Sequence, residues 1–286
     1  MMLEYLDSHD CLLLDPLNLD SDSDLHGLPH SSLVLEPMGE QRHLFPWQID
    51  LRGLSDAQRK ALADRHSYEA SSGVAPAISG LISTSATFGE THGHLGRRLR
   101  LHVEGEPEAL FRYYDPRVFR HLLRILGPRK QRSLYGPITK WSYCLLGKGW
   151  VTEAAPQIDD ERSEILSSEE ALALGRIVLV NAVHDELERA GGFTASMDAM
   201  RRIDVLLQRG QDRHKLDGVD LIAYVQHSMT IHPDLDAHPE VDDLIKRSAD
   251  ERGLFAAMAS KWGFEQRARI SSHLGLRKPA SERGYQ

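Results

Sequence analysis

Two cysteines, Cys11 and Cys144, are all that the 286-residue chain contains, and they stand far apart. That is too few for a disulfide framework or a thiolate zinc site, and it suits a reducing compartment. Also missing are a Walker-type phosphate loop and a Gly-x-Ser-x-Gly nucleophile turn, and neither cysteine has a glycine-rich frame. Nucleotide binding and nucleophile-based hydrolysis therefore have no motif behind them. The segment Gly89 to Gly96 (GETHGHLG) reads as lacking the preceding buried strand that would let its amides cradle a pyrophosphate. The longest uncharged stretch, Ala70 to Gly89, is filled with Ser, Thr, Gly and Pro, so it fails on composition as a membrane span. The first ten residues carry Glu4, Asp7 and Asp10 where an export signal would be basic and then apolar, so the expectation is a cytoplasmic protein with no membrane partner.

What the chain has in quantity is charge, unevenly placed. The net charge is −8, made of −9 over residues 1–96, +8 over 97–148 and −7 over 149–286. A polyanion-binding protein leans the other way, so a nucleic-acid partner is not expected. The central basic band is either a face for an acidic partner or the part of the protein that packs against its own acidic flanks.

The first half reads as strands and helices mixed. Short apolar runs at Cys11–Leu14, Ser32–Leu35, Ile78–Ile82, Leu99–Val103 and Ala109–Tyr114 are bounded by Asp, Pro and Gly, as buried strands are. Ser55 with Gln58 forms a capping box that opens a helix through Tyr68. Asp115-Pro116 opens another, with Phe119, Leu122 and Leu126 on one side and Arg117, Arg120, His121 and Arg124 on the other. Gly136-Pro137-Ile138, then Trp141, Tyr143 and Cys144, reads as a tight turn into a strand. Trp141 and Tyr143 suit the core better than a partner surface, though both roles are open.

From about Ile165 only helical patterns remain. Ser167 with Glu170 caps one that Gly191-Gly192 stops; Met200, Ile203 and Leu207 mark the next, then Ile222, Val225 and Met229, a short helix from Pro239, and Leu254, Met258 and Trp262 on the last. The expected fold is an α/β N-terminal lobe, a small mixed sheet with helices, followed by an all-helical C-terminal lobe. The corresponding boundaries are an α/β lobe over 1–152, a linker over 153–166, a helical lobe over 167–270 and a flexible tail over 271–286, which includes Arg277-Lys278-Pro279.

No metal or cofactor is expected. The closest histidine groupings, His92 with His94 and His227 with His232 and His238, lack the helical i, i+4 pair or carboxylate partner of zinc enzymes, so they read as surface or loop residues. His184-Asp185-Glu186 has no second histidine at i+4. Asp115 could serve as an acid or base beside Arg112 and Arg117, but its Asp-Pro context already explains it as a helix cap.

The run Leu110-Phe111-Arg112-Tyr113-Tyr114-Asp115-Pro116-Arg117-Val118, followed by Leu134-Tyr135-Gly136-Pro137-Ile138, resembles the signature of the type VI secretion effector chaperones, also called adaptors, of the Tap-like or VasW-like kind. His94-Leu95 with Arg97-Arg98 is similar to a further element of that family, interrupted here by Gly96. The resemblance implies a non-enzymatic cytoplasmic protein that binds a cognate secreted effector, a toxin, and helps load it onto the trimeric spike of the secretion machine. Within that reading Arg117, Arg120 and Arg124, with Trp141 and Tyr143, are the candidate partner-binding residues. Arg97, Arg98, Arg112, Tyr114, Asp115, Pro116, Gly136 and Pro137 are the motif and structural ones. The alternative is an enzyme or binding protein for a phosphorylated or acidic small molecule held by the Arg112 to Arg124 region.

Overall fold

The computed structural model describes residues 2–34, 39–103, 109–145, 149–158, 166–191, 193 and 196–275. They fall into two compact units, Met1–Leu174 and Gly175–Gln286.

The first unit is built on an antiparallel sheet. Its strands are β1 (Cys11–Leu14), β2 (Ser31–Ser32), β3 (Trp47–Asp50), β4 (Ile78–Thr84), β7 (Ile138–Leu145) and β8 (Gly149–Ala154), in the order β2-β3-β1-β4-β7-β8. Two further strands, β5 (Arg100–Leu101) and β6 (Ala109–Leu110), form a separate two-stranded antiparallel sheet among the described residues. The sheet is covered on both faces, and β1 shows why its four residues are all apolar. Leu12 and Leu14 enter a core with Met2 and Leu6 of α1 (Met2–Asp7) and Leu62 of α2 (Asp56–Ser72). Cys11 and Leu13 enter the opposite core, since successive side chains of a strand point to opposite faces. That second core takes Leu95 from α3 (Phe88–Arg98), Phe119 and Leu122 from α4 (Pro116–Ile125), and Leu134 and Tyr135 from α5 (Pro128–Tyr135).

Local signals set the helix starts. Ser55 and Gln58 make both halves of their capping box, with Gln58 N donating to Ser55 Oγ at 3.4 Å and Ser55 N to Gln58 Oε1 at 2.9 Å. A second box, Thr87 with Glu90, opens α3. The segment Gly89–Gly96 therefore does follow a buried strand, β4, contrary to the sequence reading, but its glycines lie inside a helix whose first amides are already capped. No phosphate cradle results.

Sequence and structure differ in the shorter elements. β3 and β8 were not expected, and the runs Leu99–Val103 and Ala109–Tyr114 shrink to two-residue strands. Of the run Ser32–Leu35 only Ser32 lies in a strand, β2, and Leu35 lies outside the described residues. β8 uses the first two residues of the linker read at 153–166, whereas 159–165 lie outside the described residues, as do Gly192, Thr194 and 276–286, Arg277-Lys278-Pro279 included. The Ser167–Glu170 box is present, but the helix it opens, α6 (Ser168–Gly175), ends where the units divide.

The second unit consists of α7 (Ile177–Arg189), α8 (Met197–Asp212), α9 (Gly218–Thr230), α10 (Pro239–Ser248), α11 (Leu254–Ala259) and α12 (Phe264–Gly275). Met200, Ile203, Leu207, Val225 and Trp262 lie in its core, as their spacing predicts, whereas Met258 is exposed. Buried Asp220 of α9 accepts from the backbone N–H of Gly253 at 2.7 Å and of Ala256 at 2.8 Å, capping α11 from another helix.

Candidate functional site

The segment Phe111 to Val118 makes the corner between β6 and α4. Asp115 takes an extended backbone and its Oδ1 accepts from Arg117 N at 2.9 Å, and Pro116 fills the first helical turn, where a missing N–H costs nothing. The same carboxylate is gripped by the Arg117 guanidinium, with Nε at 3.0 Å and Nη2 at 2.7 Å. Arg112 leans over the Tyr114 ring at 5.5 Å and donates to Asp15 Oδ2 at 2.6 Å, at the end of β1. Burial nevertheless holds the Asp15 carboxyl above its ordinary pKa, against the pull of Arg112.

The other motif residues lock this corner to its surroundings. The Tyr113 hydroxyl donates to Leu95 O at 2.9 Å, and its ring meets Trp141 edge-on at 5.9 Å. His94 is buried and places Nε2 2.8 Å from Leu134 O, so that nitrogen carries the hydrogen. Its imidazole lies against Gly136, where φ is +52° and a β-carbon would sit 2.5 Å from Nδ1. Glycine is required there for both reasons. The three motif segments, His94-Leu95, Phe111–Val118 and Leu134–Ile138, thus meet in one packed junction.

Several expected roles change with this geometry. Arg120 is buried at 9% exposure and His121 is fully buried, because α4 packs on more than the face marked by Phe119 and Leu122. The His121 ring lies between two arginines, 2.9 Å from Arg124 Nε and 3.3 Å from Arg120 Nε. A neutral imidazole has one accepting nitrogen, so at most one of these is a full hydrogen bond, and the shorter is that of Arg124. The outward cationic face of α4 is reduced to exposed Arg117 and half-buried Arg124. Trp141 and Tyr143 are core residues at 0% and 3% exposure, stacked on or edged against Phe119, and form no partner surface. Around the alternative small-molecule site read at Arg112 to Arg124, the Arg112 guanidinium is engaged with Asp15 and that of Arg117 with Asp115. Arg97 is exposed, and Arg98 lines a cavity of about 50 Å³ with Arg100, His102 and Lys130, the last paired with Glu170.

The histidines are less superficial than their spacing implied. His94, His184, His227 and His238 are buried. Burial, assisted by Arg267, lowers the His227 pKa to about 4. Among the described residues one group has metal-ligand types close together, His184, Asp185 and Glu188. The His184 ring faces the carboxylates of its own helix, Nδ1 at 3.1 Å from Asp185 and Nε2 at 3.5 Å from Glu188. Both cysteines are buried, and burial pushes the Cys144 thiol up to about 11, which leaves little nucleophilic thiolate. No described helix is long and apolar enough to cross a membrane.

No curated protein and no solved structure matches the chain. Residues 32–133, which contain β3 to β6, α4 and the whole Phe111–Val118 corner, match the family model described as Domain of unknown function (DUF4123).

Proposed function

We propose that the chain is a non-enzymatic chaperone, or adaptor, that binds a cognate type VI secretion effector in the cytoplasm and promotes its loading onto the secretion spike. The observation that carries this reading is the Phe-Arg-Tyr-Tyr-Asp-Pro-Arg-Val segment, which lies within the stretch that matches the DUF4123 family, a family associated with effector adaptors of that system. The finer Tap-like or VasW-like placement belongs to the same proposal. Support also comes from chemistry: the motif's charged groups hold a corner together, as a binding scaffold needs.

In this reading exposed Arg117 orients an acidic segment of the cargo, so that binding weakens as salt rises. The test is affinity capture of the full chain from its own bacterium at moderate salt, with mass spectrometry of what stays bound. One dominant toxin-like protein, with or without a spike component, is the expected result. Recovery of nothing specific sinks the proposal.

A further inference from the structure

One cavity stands apart from the corner. It opens beside the edge strand β2, has a volume of about 670 Å³, and is lined by His30, Ser31, Ser32, Arg42, His43 and His92, together with Val34 and Trp47. No carboxylate lines it among the described residues. The volume is in the range of small-molecule sites.

Two of its imidazoles are fixed by the fold. His30 stacks on Trp47 with ring centroids 3.9 Å apart, and its Nδ1 lies 2.9 Å from Leu28 O. A carbonyl only accepts, so Nδ1 carries the hydrogen and Nε2 is left for the cavity. His92 is set the same way. Buried Gln48 donates through Nε2 to Cys11 Sγ at 3.5 Å, which turns its Oε1 to accept from His92 Nδ1 at 3.0 Å. The side chains of Arg42 and His43 are exposed and make no hydrogen bond or ion pair among the described residues.

We propose that this cavity binds an organic oxyanion, a phosphate or a carboxylate. Arg42 supplies the permanent positive charge, and the Ser31 and Ser32 hydroxyls supply neutral donors. The imidazole of His92 becomes a full donor by taking up a proton as the anion enters. Among the described residues, the titratable and charged groups that line the cavity with His92 are His30, Arg42 and His43, and Gln48 and Phe88, which contact its ring, carry no charge. Burial lowers the pKa of His92, so its ring is neutral near pH 7 until an anion restores its affinity for a proton. Affinity therefore falls as pH rises. The inference is independent of the adaptor reading, since the cavity and the Phe111–Val118 corner share no residue.

The test is calorimetric titration of the full chain with pyrophosphate and, separately, with citrate, at about pH 6 and about pH 8. Saturable binding of at least one probe, weaker at the higher pH, is expected. Binding of pyrophosphate alone assigns a phosphate ligand, and binding of citrate alone a carboxylate. The double variant Arg42→Ala, His43→Ala should lose about tenfold in affinity or more, equivalent to about 1.4 kcal/mol. Its urea midpoint should not move, because both side chains are exposed. Absence of saturation by both probes, or undiminished affinity in the double variant, overturns the proposal.

Discussion

Asp115 uses one carboxylate to cap α4 and to hold Arg117. The cap is the larger contribution, about 1 kcal/mol, while the Arg117 side chain is 59% exposed and its ion pair adds a few tenths of that at most. Asp115→Ala should therefore lower stability by about 1–2 kcal/mol in urea denaturation, and Asp115→Asn, which keeps a capping oxygen, by much less. Cargo binding by the folded variants should persist; its loss with an unmoved urea midpoint would make Asp115 a contact residue instead. His227 gives a prediction of a different kind. Its pKa is about 4 in the fold against 6.5 in an unfolded chain, so below pH 6.5 the unfolded state takes a proton that the native state refuses. Stability is lost as pH falls from 6.5 to 4, on the order of 3 kcal/mol from this residue, and levels off below. His227→Gln should flatten that slope, read as urea midpoints across the window, and an unchanged slope would remove the residue from the acid response.

Between elements, Gly210 decides how closely α8 and α9 approach. A β-carbon there would overlap Leu221 Cδ1 and sit 3.2 Å from Tyr224 Cδ1. Helix propensity favours alanine by about 1 kcal/mol, but overpacking a core costs about 1–3 kcal/mol. Gly210→Ala should thus destabilise the second unit, and a rise in its thermal midpoint would mean that the two helices part freely. Nothing in the sequence around Gly210 announces that crossing, since it depends on a residue of the next helix. Elements with short-range signals were legible: the Ser55–Gln58 box, the Asp115-Pro116 start and the apolar run Cys11–Leu14. β3 escaped because Trp47, Gln48 and Ile49 are all buried, and a buried glutamine hides the pattern of a strand. Arg120 and His121 were read as outward because charge was equated with solvent, whereas α4 buries polar side chains on two sides. The cavity beside β2 was illegible for another reason. Its histidines come from positions as far apart as His30 and His92 and meet only through the fold.

Charge that looks segregated along the chain is partly mixed again by folding. Asp15, from the acidic first segment, pairs with Arg112 of the basic band, and Glu170, from the acidic last segment, pairs with Lys130. The band therefore spends part of its +8 inside the first unit, which weakens any case for a polyanion face. Cores are divided in the opposite manner. Two apolar clusters lie wholly within Met1–Leu174, and a third lies wholly within Gly175–Gln286. Cooperative unfolding follows shared packing, so a defect placed in one core should be felt chiefly by the amides of that unit. Gly136→Ala places such a defect in the first unit, combining a left-handed backbone with a clash against His94, and Gly210→Ala places one in the second. Hydrogen exchange read by mass spectrometry should show faster exchange within residues 1–174 for the first variant and within 175–275 for the second. Equal acceleration of both units by either variant would mean that the chain unfolds as one cooperative body.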